Sequence, residues 1–320
     1  MKTTYYDAMD HRAIEMSCIL DANESIYFAR QLEQIRAKSY DVKRAALNAI
    51  RLMPVDTSIN AGAEFITYRQ YDTVGIAKII ANYADDLPRA DVVAKEFTSP
   101  VRGIGNSYGY SVQEIRAAQF TGTDLTTKKT NATRRAHDET INRLAWAGDT
   151  VSGLPGLLSN ANIPGYTVPA DGTGSSKLWS TKTPDQILRD MNGIVNQVYT
   201  QSKGIHRANE LWMPLEQYTY IASTARSATS DTTILEYFLN NNPFIQKVEP
   251  VIEMDGANAG PLDAMMALEN SIDNYQLNLP MMFMQHPPEK RGLEFVIPCE
   301  SRFAGVTVEY PLAFSKADSI

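Results

Sequence analysis

The sequence is poor in the residues that build disulfide frameworks and metal sites. Its two cysteines, Cys18 and Cys299, are far apart and have no neighbouring cysteine or histidine motif. The four histidines are scattered, with no two at the spacing of metal ligands: His11, His137, His206 and His286. We therefore expect no disulfide framework, no zinc site and two reduced thiols. His137 stands among charged residues and is interpreted as solvated.

Long apolar runs and familiar catalytic motifs are missing as well. No stretch approaches the ~18 apolar residues of a membrane span, and the polar start MKTTYYDAMDHR does not resemble a signal peptide. The sequence has no P-loop, GxSxG or HExxH motif. The run from Gly103 to Gly109 is one residue too long for a dinucleotide loop and is interpreted as a hinge. We therefore assign no catalytic, cofactor-binding or metal-ligating residue and expect no cofactor.

Basic residues are outnumbered by acidic ones. The chain has 30 basic and 37 acidic residues, a net charge of −7, which argues against nucleic-acid binding by the whole surface. Residues 30–51 are nevertheless mildly basic, and the candidate nucleic-acid-facing residues there are Arg36, Lys43 and Arg44. This segment is either a solvated helix face or an arm that contacts a neighbouring subunit or packaged nucleic acid.

The longest regular pattern in the sequence is a helix that begins near residue 126. Apolar residues recur at steps of three to five on one side, and charged residues cover the rest. The predicted core residues of this helix are Ala136, Ile141, Leu144 and Ala145. Gly148 ends the pattern and is followed by a glycine-punctuated loop. The helix carries no catalytic constellation, so we interpret it as a beam against which other elements pack.

A β-prone segment with little apolar content spans residues 62–110. Residues 64–71 alternate as a strand does, and further β-prone runs follow at 74–80 and 97–101. A two-stranded projection is marginal by itself, so we expect it to lie on another subunit. The candidate interface residues in this segment are Phe65, Tyr68, Tyr71, Lys78 and Lys95.

The rest of the chain alternates helices and strands. Ser111 and Glu114 have the spacing of a capping box, which predicts a short helix to Phe120. Thr183 followed by proline predicts another helix start. The alternation over 184–297 indicates an α/β or α+β domain, and residues 305–314 predict a late strand. With 43% hydrophobic and 21% charged residues, the chain is typical of a folded protein.

Four stretches, in this order, resemble a known family: residues 134–149 (RRAHDETINRLAWAGD), 153–160 (GLPGLLSN), 233–241 (TILEYFLNN) and 291–314. They resemble the major capsid proteins of tailed phages with the HK97-like fold, and the related encapsulin shell proteins. The implied fold class is α+β. The implied domains are an N-terminal arm (1–53), an extended β-rich loop (54–110), a peripheral domain with a spine helix (111–183), an axial domain (184–298) and a peripheral return strand (299–320).

The resemblance also implies a function, which is assembly. Copies of the chain would form hexamers and pentamers of an icosahedral head that encloses double-stranded DNA, touched weakly by the arm. Scaffold, portal or decoration proteins are possible further partners. No interaction with a membrane is expected. The protein would then reside in the virion after assembly in the host cytoplasm.

Two other readings stay open. One is an encapsulin-like compartment, which would enclose protein cargo instead of nucleic acid. The other is a soluble enzyme whose catalytic groups converge only in space. A stable monomer with turnover would favour the enzyme, and the contents of native particles separate the two shells.

Overall fold

A five-stranded mixed sheet divides the hydrophobic core into two layers. The computed structural model describes residues 44–75, 78, 89–121, 125–227, 229, 231–256, 263–318 and 320. Residues 47–320 form one unit. The helices of the described part are α1 (Ala49–Leu52), α2 (Val112–Thr121), α3 (Leu125–Ala147), α4 (Pro184–Gln201), α5 (Leu215–Ser223) and α6 (Ile234–Asn241).

The strands lie in four sheets. They are β1 (Val55–Asp56), β2 (Phe65–Val74), β3 (Asp91–Pro100), β4 (Arg102–Ser111), β5 (Gly165–Tyr166), β6 (Glu210–Met213), β7 (Lys247–Pro250), β8 (Ala264–Leu268), β9 (Tyr275–Asn278), β10 (Met281–Gln285), β11 (Glu289–Arg291), β12 (Glu294–Phe303), β13 (Val306–Val308) and β14 (Phe314–Asp318). The sheets are β5-β14-β8-β6-β7, β1-β9-β13, the hairpin β2-β3, and a sheet in which β12 pairs with β4, β10 and β11.

Alternation along β8 shows how the five-stranded sheet serves two cores. Met265 and Ala267 belong to one hydrophobic cluster, whereas Met266 and Leu268 belong to the other. All four side chains are fully buried. Successive side chains of a strand point to opposite faces, so a strand with no polar position must be covered on both sides.

Helix α4 covers the first face of this sheet. Its buried stripe has helical spacing and comprises Ile187, Leu188, Met191, Ile194, Val195 and Val198. The helix begins as the sequence predicts, because Thr183 and Gln186 form a reciprocal capping box and Pro184 occupies the first turn.

A buried ion network fixes the preceding loop onto α4. Lys182 Nζ lies 2.5 Å from Asp190 Oδ2, and neither side chain has exposed surface. Arg189 then bridges Asp190 at 3.0 Å and Asp171 at 2.5 Å. Lys182 and Asp190 are the fully buried pair, so removing either one would leave a buried charge without its partner, which is strongly destabilising.

Helix α3 and the smaller sheets cover the other face. Ile141, Leu144 and Ala145 of α3 lie in the second cluster, and Trp146 packs edge-on against Trp212 of β6 with ring centroids 5.6 Å apart. Helix α1 is tied to α3, because Ala49 N donates to Asn142 Oδ1 at 2.9 Å. Among the described residues, every helix is too short or too polar to cross a membrane.

The end of α3 requires glycine at two positions. Gly148 has a φ of +71°, which a residue with a Cβ adopts at a cost. A Cβ at Gly156 would collide with the backbone of Gly148 and lie 2.5 Å from Ala147 C. This close approach lets Leu157 N and Leu158 N donate to the carbonyls of Ala145 and Trp146, which satisfies the last turn of the helix.

Strand pairing crosses two of the expected domain boundaries. The predicted return strand at 299–320 was assigned to the peripheral domain, but β14 pairs with β8 and β5 in the five-stranded sheet. Conversely, β9, β10 and β11 fall within the expected axial range, 184–298, and β12 begins there, yet β9 pairs with β1 and β13 while β12 pairs with β4. Local sequence does not encode pairing between distant strands, and the expected domain boundaries stay a prediction.

Candidate subunit interface

The hairpin β2-β3 is a regular antiparallel ribbon. Its ten residue pairs run from Phe65 opposite Pro100 to Val74 opposite Asp91. Cross-strand contacts hold the strands together: Tyr68 stacks on Phe97 at 5.1 Å, and Arg69 Nε lies 2.7 Å from Glu96 Oε1. Such pairs contribute roughly 0.2–1 kcal/mol each, so they maintain the ribbon without giving it a core.

The base of the hairpin is attached to the body of the chain. Ser99 is buried, and its Oγ donates to Ala304 O at 2.9 Å. Val101 N donates to Glu64 O at 2.8 Å, and Arg302 donates to Ala61 O. These bonds fix where the ribbon leaves the body.

The distal part of the hairpin exposes apolar side chains on both faces. Register places Tyr71 and Val92 on one face and Val74 and Val93 on the other. Each of these four side chains is more than half exposed. Clustered exposed apolar side chains mark interaction surfaces. Because they occur on both faces of this hairpin, a partner surface would have to contact each face to bury them.

A cleft separates the ribbon from the segment that contains Glu309. It has a volume of about 370 Å³ and is lined by Tyr68, Arg69, Gln70, Tyr71, Glu309 and Tyr310. Burial raises the pKa of Tyr68, and the Glu309 carboxylate adds to this. Burial likewise raises the pKa of Glu309, with a smaller contribution from Asp273. The cleft therefore holds a carboxyl group that is poorly solvated.

Helix α2 is a second element without cover. None of its residues is buried, and Phe120 is 93% exposed. The predicted capping box is confirmed, because Glu114 N donates to Ser111 Oγ at 3.0 Å and Ser111 N donates to Glu114 Oε2 at 3.1 Å. The hydrogen bond from Lys129 lowers the pKa of the Glu114 carboxyl. A ten-residue helix is marginal without packing, so this helix also fits a contact surface.

The candidate interface residues take different positions on the ribbon. Phe65 and Tyr71 are 62% and 63% exposed, whereas Tyr68 is half-buried against Phe97. Lys95 Nζ lies 4.9 Å from the centre of the Phe97 ring, and Lys78 is exposed. Sequence reasoning missed Val74, Val92 and Val93, although their β-branched side chains follow the same alternation.

In the arm, Arg36 and Lys43 lie outside the described residues, and Arg44 is exposed. The described part of the chain therefore places one of the three candidate arm residues at the surface.

The structure corrects the predicted core of α3 at Ala136. This residue is exposed, and the neighbouring His137, interpreted as solvated from the sequence, is buried instead. His137 Nδ1 lies 2.8 Å from Ser301 Oγ of β12, and Nε2 lies 3.2 Å from Asn106 Oδ1 of β4. The inner stripe is thus Thr133, His137, Ile141 and Leu144, a stricter helical spacing than the one that includes Ala136.

No metal centre accompanies these surfaces in the described part of the chain, where no three His, Cys, Asp or Glu side chains are grouped to hold an ion. Cys299 is a buried free thiol, and burial raises its pKa. A thiol of this kind is a poor nucleophile.

A sequence model of the major capsid protein family matches residues 75–320. The chain belongs to that family. Solved structures support the same assignment at the level of the fold. The capsid of Myoviridae phage XM1 has a TM-score of 0.80 at 15% identity, covering 93% of this chain and all of that one. No curated protein sequence matches the chain.

Two further solved structures extend the comparison. The capsid of an empty GTA particle has a TM-score of 0.64 at 13% identity, covering 94% of this chain and 99% of that one. A structure from Mycobacterium phage Ogopogo has a TM-score of 0.58 at 13% identity, covering 92% and 100%. The HK97-like α+β fold predicted from the sequence is confirmed, and the protein is a major capsid protein, a structural protein of a shell.

Proposed function

We propose that copies of this capsid protein form the hexamers and pentamers of an icosahedral head that encloses double-stranded DNA. The observation that supports this most directly is the distal hairpin, whose apolar side chains lie uncovered on both faces. A specific interface buries at least about 1,000 Å², and a projecting ribbon supplies such area at little cost to the subunit core. Heterologous contacts of this type close into rings.

The proposed layout assigns residues 54–110 to the contact over a neighbour and residues 1–53 to an arm. The contact residues are Phe65, Tyr68, Tyr71, Lys78 and Lys95. Arg36, Lys43 and Arg44 face the packaged DNA and touch it weakly, because the whole chain carries a net charge of −7. Residues 111–183 form the peripheral domain. Residues 184–298 form the axial domain, and residues 299–320 return to the peripheral domain.

The activity of the protein is assembly and not turnover. Assembly takes place in the host cytoplasm, and the subunit then remains in the virion. Scaffold, portal and decoration proteins are further partners in this proposal. Exposed elements with no core of their own support it, because uncovered apolar surface marks sites of protein–protein contact.

The decisive experiment shortens the hairpin at a matched register. Gln70 opposes Lys95, so residues 71–94 can be replaced by a two-residue turn without disturbing the base. We expect the variant to fold but to form no closed shells by electron microscopy. A matched control exchanges the exposed ion pair, as Arg69→Glu with Glu96→Arg, and should still assemble.

Normal shells from the shortened variant would refute the role of the hairpin. Native particles that contain protein cargo and no nucleic acid would refute the phage-head proposal in favour of a cargo compartment.

A further inference from the structure

The cleft between the hairpin β2-β3 and Glu309 has the size of a ligand site. Its volume of about 370 Å³ lies within the roughly 300–1,000 Å³ of small-molecule pockets. Residues 68–71 of β2 form one wall, and Glu309 and Tyr310 form the other. Glu309 is half-buried and Tyr310 is 49% exposed, so both side chains keep surface that a ligand can reach.

The Glu309 carboxylate lacks a partner of opposite charge. It forms no hydrogen bond or ion pair with the described residues. Burial raises its pKa, and the nearby Asp273 carboxylate raises it further. An opposite charge nearby would lower that pKa, so both effects indicate a negative site that no cation in the described part of the chain neutralises.

Cationic side chains of the hairpin are engaged elsewhere. Arg69 lines the cleft, but its Nε lies 2.7 Å from Glu96 Oε1 across the hairpin. Lys95 Nζ lies over the Phe97 ring, 4.9 Å from its centre, and Lys95 does not line the cleft. Neither cation is therefore the counter-ion of Glu309.

The opposite wall has one titratable nitrogen base nearby, and it is paired too. The ring of His206 lies beside that of Tyr310, with centroids 5.6 Å apart. His206 Nδ1 is 2.7 Å from Glu269 Oε2, so this imidazole serves another carboxylate. The position beside Glu309 is thus open to a cation from outside the chain.

Tyrosine rings determine which cation fits. Tyr68, Tyr71 and Tyr310 line the cleft, and Tyr68 is held by its stacking on Phe97. Aromatic faces attract organic cations, and several rings around one site are typical of pockets for ammonium groups. A Ca²⁺ ion instead takes about six to eight oxygen ligands, whereas the described lining of this cleft contributes one carboxylate.

We propose that this cleft binds an organic ammonium group on an aliphatic stem, with Glu309 as its counter-ion and Tyr310 as its ring partner. Two sources have this chemistry, a free aliphatic amine and a lysine side chain of another protein molecule. All residues of the cleft belong to one subunit, so the site adds a binding function that does not rest on shell assembly.

The test titrates n-butylammonium into unassembled subunits and follows it by ligand-detected NMR. We expect saturable binding, and no competition from butanol, which has the same stem without the charge. Glu309→Gln should weaken binding about 10-fold, as expected for a lost hydrogen bond between charged groups. Glu236→Gln is the matched control, because Glu236 is an exposed carboxylate that does not line the cleft, and it should change nothing.

The ring partner is tested separately. Tyr310→Leu should weaken butylammonium binding about 2- to 5-fold, whereas Tyr310→Phe keeps the ring and should bind as wild-type protein does. The melting temperature of unassembled Glu309→Gln should not fall, because the free subunit loses no ion pair. Weaker binding is then not a consequence of misfolding.

Three results would overturn the proposal. They are equal binding by wild-type protein and Glu309→Gln, equal binding of butanol and butylammonium, and binding that appears only in Lys95→Met. The last result would show that Lys95 of the same chain fills the cleft.

Native particles distinguish the two sources. Particles are denatured and their small amines measured by mass spectrometry. A free amine should appear at a constant ratio to subunits in wild-type particles and be absent from Glu309→Gln particles. A lysine side chain should instead leave no amine and close the cleft to butylammonium after assembly. A cleft that is empty and open in particles would refute the site in the assembled protein, whereas a failure to form shells would refute only the proposed function.

Discussion

His137 illustrates how a single residue can join three elements. Asn106 Oδ1 can only accept, so Nε2 of the ring carries the proton and Nδ1 accepts from the Ser301 hydroxyl. The ring also lies edge-on to Phe283, with centroids 5.1 Å apart. A neutral imidazole thereby satisfies two polar partners inside the contact between α3, β4 and β12.

This environment predicts an acid sensitivity. Burial lowers the pKa of His137, and the Asp138 carboxylate only partly opposes this. Below the ordinary histidine pKa of about 6.5, the unfolded chain binds a proton that the folded chain refuses. The contribution of neutral His137 to the free energy of unfolding is therefore fully present above about pH 6.5 and is lost as the pH falls below that value. His137→Gln should be less stable by about 1–3 kcal/mol at pH 7.5, because partners are lost.

The same variant should lose less stability than wild-type protein between pH 7.5 and pH 5. Denaturant unfolding of unassembled subunits at each pH measures the difference. Parallel loss in both proteins would contradict the assignment of the acid sensitivity to His137.

Gly193 is a second residue whose role depends on one contact. It lies inside α4, where alanine is normally favoured by about 1 kcal/mol. A Cβ here would collide with Tyr166 Oη and lie 2.7 Å from Tyr166 Cζ. Gly193→Ala should therefore destabilise the subunit by about 1–3 kcal/mol in thermal unfolding. Adding Tyr166→Phe should restore part of the loss, and no restoration would point to another cause.

At the scale of elements, local signals predicted what is local. Thr183 and Pro184 marked the start of α4, and Ser111 with Glu114 marked the start of α2. The apolar pattern also predicted α3, but it placed Ala136 in the core, where the structure has an exposed residue. Alanine fits either environment, whereas a histidine among charges suggests solvent until its partners on β4 and β12 are known.

The α3 stripe makes a prediction with an internal control. Ile141→Asp or Leu144→Asp places an unpaired charge in the core, which should cost more than about 4 kcal/mol and abolish soluble expression. Ala136→Asp, on the exposed side of the same helix, should change stability by less than about 1 kcal/mol. The soluble yield and the melting temperature of unassembled subunits are compared between the two core variants and Ala136→Asp. Equal yields from all three variants would place the stripe in solvent.

What the sequence could not supply is the pairing of distant strands. Strand β4 looked like the end of a projecting loop, yet it pairs along ten positions with β12. Its glycines gave no hint, because their partners lie far away in the chain. The same limit applies to β14, whose pairing with β8 and β5 could not be predicted from local sequence. The hairpin could be predicted because polar and apolar residues alternate along each of its two strands. The surface that would cover it on another copy of the chain could not be predicted, because it is not part of the local sequence.

At the scale of the whole molecule, the core and the exposed elements are distinct. The two clusters on the five-stranded sheet contain most of the large buried side chains. By contrast, every described residue between 70 and 95 is exposed, and α2 has no buried residue. These apolar side chains are exposed in the free subunit, so only burial against a partner can bring the favourable free energy of removing them from water.

This division predicts how the shortened-hairpin variant unfolds. Because residues 71–94 bury nothing among the described residues, their removal should shift the melting temperature of the free subunit by less than about 4 °C. Assembled wild-type protein should melt at a higher temperature than free wild-type protein, since binding to the folded state alone stabilises it. The variant should show no such increase at any protein concentration. Calorimetry over a concentration series measures all three proteins, and a large loss in the free variant would mean that the hairpin belongs to the subunit core.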